Sequence, residues 1–177
     1  RFYVLDELDT LEVESVEFDV SSDQYLQVGP IIMPRYLDRP QIVSRGSDNR
    51  LILGEFDRWS EPLHVSFTRV IAGNLDKLLT KSNILIYPNR GPSEDKFHQM
   101  RMEVTRFDGS LAGEVLLQVR WTIVGRNNSK VMPQVRESHS IQVQGVGYSA
   151  YVAALNQLLE KLTRSMAVRI AQEAKNI

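Results

Sequence analysis

Three histidines are the side chains of this sequence most able to act as bases or metal ligands, and their positions favour neither role. His64, His98 and His139 lie far apart, and none has a second histidine at the three- or four-residue spacing of a metal-binding helix face. Cysteine, another common zinc ligand, is absent. A Ser–His–Asp triad forms only in the folded chain, but no serine lies in a G-x-S-x-G turn. We therefore predict no metal, no cofactor and no enzymatic activity, with a histidine-dependent hydrolase as an alternative.

The segment GVGYSA at positions 145–150 matches the G-x-G-x-x-A pattern that binds a dinucleotide pyrophosphate between a strand and a helix. Its context disagrees with that function, because the helix that follows is the last predicted element and no parallel strand can complete the unit. The preceding segment is also more polar than a buried parallel strand. We predict instead that Gly145 and Gly147 allow a tight turn from the strand into the helix.

Arginines and aromatic residues outside the predicted helices form the strongest candidate for a binding surface. The candidates are Arg35, Tyr36, Asp38, Arg39, Arg45, Arg58 and Trp59. Arginine, tyrosine and tryptophan contribute much of the binding energy at protein interfaces, and arginine can bind a phosphate through two parallel hydrogen bonds. We predict that these residues bind a partner protein or an anionic lipid headgroup.

Ordinary structural roles remain open for three of these side chains. Trp59 can cover the core at the start of the first predicted helix, since large aromatic side chains are mostly buried. Arg39 and Arg45 can pair with nearby acids instead of a partner. The acids in question are Asp38, Asp48 and Asp57.

Two amphipathic helices are predicted from apolar residues that recur every three or four positions. The first covers about residues 61–80, with Ser60 as N-cap and Pro62 in the first turn. The second follows the glycine-rich turn and carries an apolar stripe from Tyr151 to Ile170. Helices of this kind are marginal alone in water, so both must pack on a sheet.

Short β-branched, aromatic or alternating segments predict the strands of this sheet. They cover residues 2–5, 25–28, 42–43, 51–53, 84–87, 100–105, 115–123 and 135–143. Turn residues at 46–49, 108–109 and 125–129 join neighbouring strands, which should therefore be antiparallel. The predicted architecture is α+β, a mostly antiparallel β-sheet with two amphipathic helices packed on it.

The composition, 42% hydrophobic and 24% charged residues over 177 positions, is that of one globular domain. A net charge of −1 argues against nucleic-acid binding, and no apolar run is long enough to span a bilayer. Residues 1–23 carry eight acids against one arginine, so most of residues 7–23 are predicted to be loosely ordered. We therefore predict an acidic tether at 1–23, with a short edge strand at 2–5, and a single domain at 24–177.

Several segments resemble the PqiC-like ABC-type transport auxiliary lipoproteins. The longest are VGPIIMPRYLDRPQIVSR at 28–45 and NRLILGEFDRWSEPLHVSFTRVIAGNL at 49–75. The later segment VTRFDG at 104–109, with Gly113 and Trp121 beyond it, is similar as well, as is the opening FYVL. The resemblance covers nearly the whole chain in matching order and spacing.

The resemblance implies a non-enzymatic lipoprotein subunit in the periplasm of a Gram-negative envelope, held on the outer membrane by a lipid on an N-terminal cysteine. It also implies an MCE-domain periplasmic protein and an integral inner-membrane protein as partners, in a system that moves phospholipid between membranes and supports membrane integrity. This chain has no cysteine, so the lipid would lie upstream of Arg1. We expect the domain to dock the MCE partner and to form a homo-oligomer, with the acidic tether holding it away from the bilayer.

A lipid-carrying module is the main alternative function. Phospholipid would then lie in a groove between the helices and the sheet. Phe67, Trp121 and Tyr151 are the predicted lining residues, although each is equally suited to an ordinary core.

Overall fold

The computed structural model describes residues 1–9, 24–82, 84–88, 97–125 and 131–174, which fold into eight strands and two α-helices. In chain order these are β1 (Phe2–Tyr3), β2 (Gln24–Ile32), β3 (Gln41–Arg45), β4 (Leu51–Trp59), α1 (Leu63–Leu78), β5 (Ile84–Pro88), β6 (Phe97–Gly109), β7 (Glu114–Val124), β8 (Val135–Gln142) and α2 (Gly147–Ala174). A single turn of 3-10 helix, Arg35–Leu37, leads from β2 toward β3.

The strands form two sheets, a five-stranded one in the order β5-β2-β6-β7-β8 and a three-stranded one in the order β1-β4-β3. The expected α+β class is confirmed, and the hairpins β3–β4, β6–β7 and β7–β8 are antiparallel as predicted. Both sheets are nevertheless mixed, because β1 runs parallel to β4, and β2 runs parallel to both β5 and β6. A single sheet was expected because turn residues reveal hairpins, whereas parallel pairs join strands that are distant in sequence.

The antiparallel pair β6–β7 forms the centre of the larger sheet through its predicted alternation of apolar residues. Met102 lies opposite Trp121, and Val104 lies opposite Val119, and all four side chains are buried. The predicted turn at residues 108–109 is wrong, because β6 continues through Gly109 and the chain reverses over residues 110–113. A side chain at Gly109 would lie 2.1 Å from a β7 carbonyl oxygen, so the glycine allows close strand approach rather than a turn.

The two helices bury the apolar stripes that predicted them. In α1, Phe67, Ile71 and Leu75 are fully buried, and in α2 the same holds for Leu158 and Leu162. Both helices contact the larger sheet and each other. None of the helices in the described part of the chain is long and apolar enough to cross a membrane.

The first nine residues pack onto the domain rather than leading away from it. Leu5 is fully buried and Leu8 is 8% exposed. The Lys77 ammonium on α1 donates to the Leu8 carbonyl oxygen at 2.7 Å and pairs with the Glu7 carboxylate at 3.0 Å. The edge strand expected at 2–5 is confined to Phe2–Tyr3. Residues 10–23, the remainder of the predicted tether, lie outside the described residues.

Candidate functional site

A buried carboxylate joins the two sheets. Asp108, near the end of β6, has a fully buried side chain that accepts two hydrogen bonds from the Arg45 guanidinium of β3, at 2.7 and 2.9 Å. The Tyr36 hydroxyl donates to the same carboxylate at 2.5 Å, and Arg106 Nε donates at 3.2 Å. Two arginines and a phenol thus satisfy one acid in the interior, where an unpaired charge would be costly.

These contacts shift the pKa values of the three innermost groups. Burial by itself would raise the pKa of Asp108, but the hydrogen bonds from Arg45 and Tyr36 outweigh it and hold that pKa below its usual range. Burial, together with the hydrogen bond to Asp108, raises the pKa of Tyr36 to about 12. The hydrogen bonds to Asp108 also raise the pKa of Arg45. The charges in this cluster are therefore fixed near neutral pH, and none of its members is poised to transfer a proton.

Tyr151 of α2 extends the connection to the helical layer. Its buried hydroxyl accepts a hydrogen bond from the Gly109 N–H at 3.0 Å and donates one to the Val43 carbonyl oxygen at 2.9 Å. Burial raises the pKa of this phenol. We call Tyr36, Arg45, Arg106, Asp108 and Tyr151 the sheet junction. Because its polar groups satisfy one another, the sheet junction acts as a structural tie between the two sheets and α2.

Three of the seven predicted binding residues, Tyr36, Arg45 and Trp59, therefore make contacts inside the fold. Arg45 pairs with Asp108, which is none of the three acids considered from the sequence. The structural role considered for Trp59, covering the core, agrees with its position, since the residue is 6% exposed at the end of β4. Its backbone N–H donates to the Pro40 carbonyl oxygen at 2.7 Å.

Two of the three acids that the sequence offered to Arg39 and Arg45, Asp57 and Asp48, have other partners. Asp57 pairs with Arg1 at 2.8 Å and accepts a hydrogen bond from the Tyr3 hydroxyl at 2.9 Å. Asp48 pairs with Arg50 in the turn of the β3–β4 hairpin. No local pattern indicates the pair of Arg1 and Asp57, because the two residues are 56 positions apart in the chain.

Four of the predicted binding residues are exposed, and three of them lie close together. Arg35, Asp38 and Arg39 are exposed around the 3-10 turn, and none of the described residues pairs with either arginine. We call these three residues the Arg35–Arg39 surface. The fourth, Arg58, is exposed on β4, in the three-stranded sheet.

Two shallow clefts flank the Arg35–Arg39 surface, and Asp38 lines both of them. The larger, about 310 Å³, is also lined by Arg39, Trp59 and Glu61. The smaller, about 130 Å³, is lined by Arg35 together with apolar residues of the β2 end. A surface with exposed arginines and open clefts can accept a protein partner or an anionic group.

The histidines are scattered through the fold, on three different elements. His64 is exposed early in α1, beside the smaller cleft. His98 is half-buried on β6, and burial lowers its pKa. His139 on β8 contacts the Glu137 carboxylate at 2.9 Å, which also accepts the Trp121 indole N–H at 2.9 Å. No group of metal-ligating side chains occurs among the residues that the structure describes.

The glycine-rich segment forms the predicted turn between β8 and α2. Gly145 and Gly147 have φ values of +111° and +77°, in the region where side chains other than glycine are strained. This prediction is confirmed.

The residues expected to line a lipid groove lie in the core. Phe67, Trp121 and Tyr151 are each 0% exposed. Phe67 packs edge-on against Phe107, with ring centroids 5.3 Å apart. These three side chains therefore fill the space between the helices and the sheet that the carrier alternative assigns to a lipid.

Comparison with known proteins identifies relatives at the level of family and fold. The family model for the ABC-type transport auxiliary lipoprotein component matches residues 7–167. No curated protein matches the chain.

Two solved structures share the fold across almost their full length. A protein from Xanthomonas campestris, assigned to the DUF330 family, is 15% identical, with a TM-score of 0.78 over 99% of this chain and 97% of its own. An uncharacterized protein is 19% identical, with a TM-score of 0.77 over 96% of this chain and 97% of its own. At these identities the two structures show a common fold.

Proposed function

The chain belongs to the family of ABC-type transport auxiliary lipoprotein components, and we propose on that premise that it is a non-enzymatic subunit of an MCE-type system for phospholipid transport between membranes. Family membership makes it an auxiliary, membrane-anchored envelope lipoprotein of a transport system. The proposal adds the class of system, its cargo and the docking role. In this role the domain docks a periplasmic MCE-domain protein, which is linked to an inner-membrane partner, and supports membrane integrity.

The observation that carries the docking role is the Arg35–Arg39 surface. Arg35 and Arg39 are exposed without a pairing partner among the described residues, although the domain pairs most of its other arginines. Clefts lie on both sides, and the Trp59 side chain lines one of them. Arginine is enriched among the central residues of protein interfaces, and open clefts beside it can accept side chains of a partner.

The absence of enzymatic activity is supported by what surrounds the titratable groups. The buried carboxylate of Asp108 is held by Arg45 and Tyr36, and the three histidines of the described chain do not meet. A hydrolase built on those histidines is therefore not favoured. The carrier alternative is disfavoured too, because its three predicted lining residues are core residues.

The location proposed for the protein is the periplasmic side of the outer membrane, with the lipid on a cysteine upstream of Arg1. Residues 1–9 lie on the domain, so a segment that leads to a lipid upstream of Arg1 would leave the domain at this edge. The acidic residues 10–23 follow this docked segment and would not separate the lipid from the domain. Self-association into a ring that matches a ring-shaped partner is part of the proposal, and a monomeric mass at micromolar concentration would count against it.

Affinity capture tests the docking role. The immobilised chain is incubated with detergent-solubilised Gram-negative envelope, and retained proteins are identified by mass spectrometry. We expect an MCE-domain protein to be retained by the wild-type chain and lost from Arg35→Glu/Arg39→Glu. The matched control is Arg136→Glu, which reverses one exposed arginine on β8. Equal retention of the MCE-domain protein by all three chains would show that the interface lies elsewhere. Retention of lipid without protein would favour the lipid-carrier alternative.

A further inference from the structure

Two phenylalanines are exposed on one face of the three-stranded sheet. Phe2 is 75% exposed and Phe56 is 71% exposed in the part of the chain that the structure describes. Phe2 lies opposite Arg58 in the parallel β1–β4 pair, so these two side chains point to the same face. Phe56 precedes Arg58 by two residues on β4 and shares that face as well. Single exposed apolar residues are common on protein surfaces, whereas adjacent exposed aromatic residues usually mark a contact site.

The start of the chain is fixed at the same place. The Arg1 backbone nitrogen donates to the Phe56 carbonyl oxygen, and the Arg1 carbonyl oxygen accepts the Arg58 N–H at 3.0 Å. Beyond this edge, the buried side chains of Leu5 and Leu8 hold the first residues on the domain. Any segment upstream of Arg1 therefore joins the fold directly beside the two phenylalanines.

We propose that the face formed by Phe2, Phe56 and Arg58, here called the phenylalanine face, contacts the surface of the bilayer that carries the lipid anchor. The inference rests on membership in a lipoprotein family and does not depend on the MCE partner. Aromatic rings bind at the boundary between headgroups and acyl chains. A neighbouring guanidinium binds lipid phosphate.

The charges around the phenylalanine face suit an anionic surface. Arg58 is exposed and has no pairing partner among the described residues. The acid next to it in sequence, Asp57, has a side chain only 5% exposed and is paired with Arg1. Arg58 therefore presents an unpaired positive charge beside the two phenylalanines.

A bilayer accounts for this small face better than a second copy of the chain does. The surface area of two phenylalanines and one arginine is far below the roughly 1,200 Å² that stable protein interfaces bury. A weak contact becomes effective when a short connection keeps it at high local concentration. A lipid attached upstream of Arg1 provides such a connection, because Arg1 itself is bound to β4 beside the phenylalanine face.

Fluorescence at the phenylalanine face tests the contact directly. The chain has no cysteine, so one cysteine added before Arg1 can be coupled to a maleimide lipid in vesicles of phosphatidylethanolamine and phosphatidylglycerol. Phe56→Trp should show emission shifted to shorter wavelength and quenched by brominated acyl chains. The matched control is Val168→Trp on α2, which is also exposed. Val168 lies about 30 Å along the helix from Tyr148, whose ring adjoins Gly54 of β4.

Two outcomes would overturn the proposal. One is emission from Phe56→Trp that is neither shifted nor quenched relative to Val168→Trp. The other is a mass that rises with concentration in the untethered wild-type chain and falls to the monomer in Phe2→Ser/Phe56→Ser, since that would assign the phenylalanine face to a second copy. If the proposal holds, untethered Phe2→Ser/Phe56→Ser binds the same vesicles about tenfold more weakly than untethered Val168→Ser, a difference of about 1.4 kcal/mol in binding free energy.

Discussion

Replacing Asp108 by alanine is expected to destabilise the domain strongly, because it removes the acid on which the sheet junction converges. The change leaves the Arg45 guanidinium and the Tyr36 hydroxyl without their acceptor. Removing one partner of a buried ion pair costs about 3–5 kcal/mol. The Arg45 side chain is 22% exposed, so water can solvate part of it, and we expect a loss near the lower end, about 3 kcal/mol.

The assay is thermal unfolding followed by circular dichroism at neutral pH. For a chain of this size, 1 kcal/mol corresponds to about 2–4 °C in Tm, so Asp108→Ala should lower Tm by about 6–12 °C. Asp38→Ala, which removes an exposed acid of the same type, should change the stability by less than about 0.5 kcal/mol. Equal Tm values for the two variants would refute the reasoning.

A double substitution and a pH series separate the buried pair from simple side-chain loss. The loss of stability in Asp108→Leu/Arg45→Met should be smaller than the sum of the losses in the two single variants. Each single variant leaves the other charge without its partner, whereas the double variant removes both charges of the pair. The pKa of Asp108 is lowered in the folded state. Its contribution is therefore complete above the ordinary aspartate pKa of about 4 and is lost as pH falls through the lowered value. The difference in the free energy of unfolding between the wild type and Asp108→Ala should accordingly become smaller in acid.

Three further changes test other parts of the account. Trp59→Ala should lower the free energy of unfolding by about 3 kcal/mol because it leaves a cavity at a buried site, whereas Arg39→Ala should leave Tm unchanged. An unchanged Tm in Trp59→Ala would show that this side chain does not contribute to the core. Tyr151→Phe should cost about 1–2 kcal/mol in chemical unfolding, since a buried backbone N–H loses its acceptor; no loss would show that water replaces the hydroxyl. The Leu8 amide donates to Asn74 Oδ1 at 2.7 Å. In hydrogen-exchange NMR it should therefore exchange slowly in the wild type and rapidly in Asn74→Ala. Fast exchange in the wild type would show that residues 1–9 are not held on the domain.

The local elements could be predicted from the sequence because each depends on neighbouring residues. Met102 and Val104 alternate with polar residues and face the core on β6, and the stripe through Phe67 and Leu75 lies buried on α1. The turn before α2 followed from its glycines, of which Gly147 has a positive φ. Such patterns report the face that an element buries but not the element that covers it.

The parts that could not be predicted depend on contacts between distant residues. Asp108 and Gly109 are typical turn residues, and only the fold shows that Arg45, 63 residues earlier, satisfies the carboxylate. The division into two sheets has the same origin, because the parallel pairs involve no turn. For the candidate site, residue type selected Arg35 and Arg39 as candidates, and both are exposed. The same criterion selected Arg45, which the fold uses internally.

Site-specific photo-crosslinking in cells is the most direct test of the docking role. A photo-reactive amino acid replaces Arg39 in the full-length lipoprotein, and the matched control replaces Val168 on α2, which is also exposed. The account predicts that irradiation joins the chain to an MCE-domain protein from position 39 and not from position 168. Crosslinks from position 39 to lipid alone, or equal crosslinks from both positions, would contradict it.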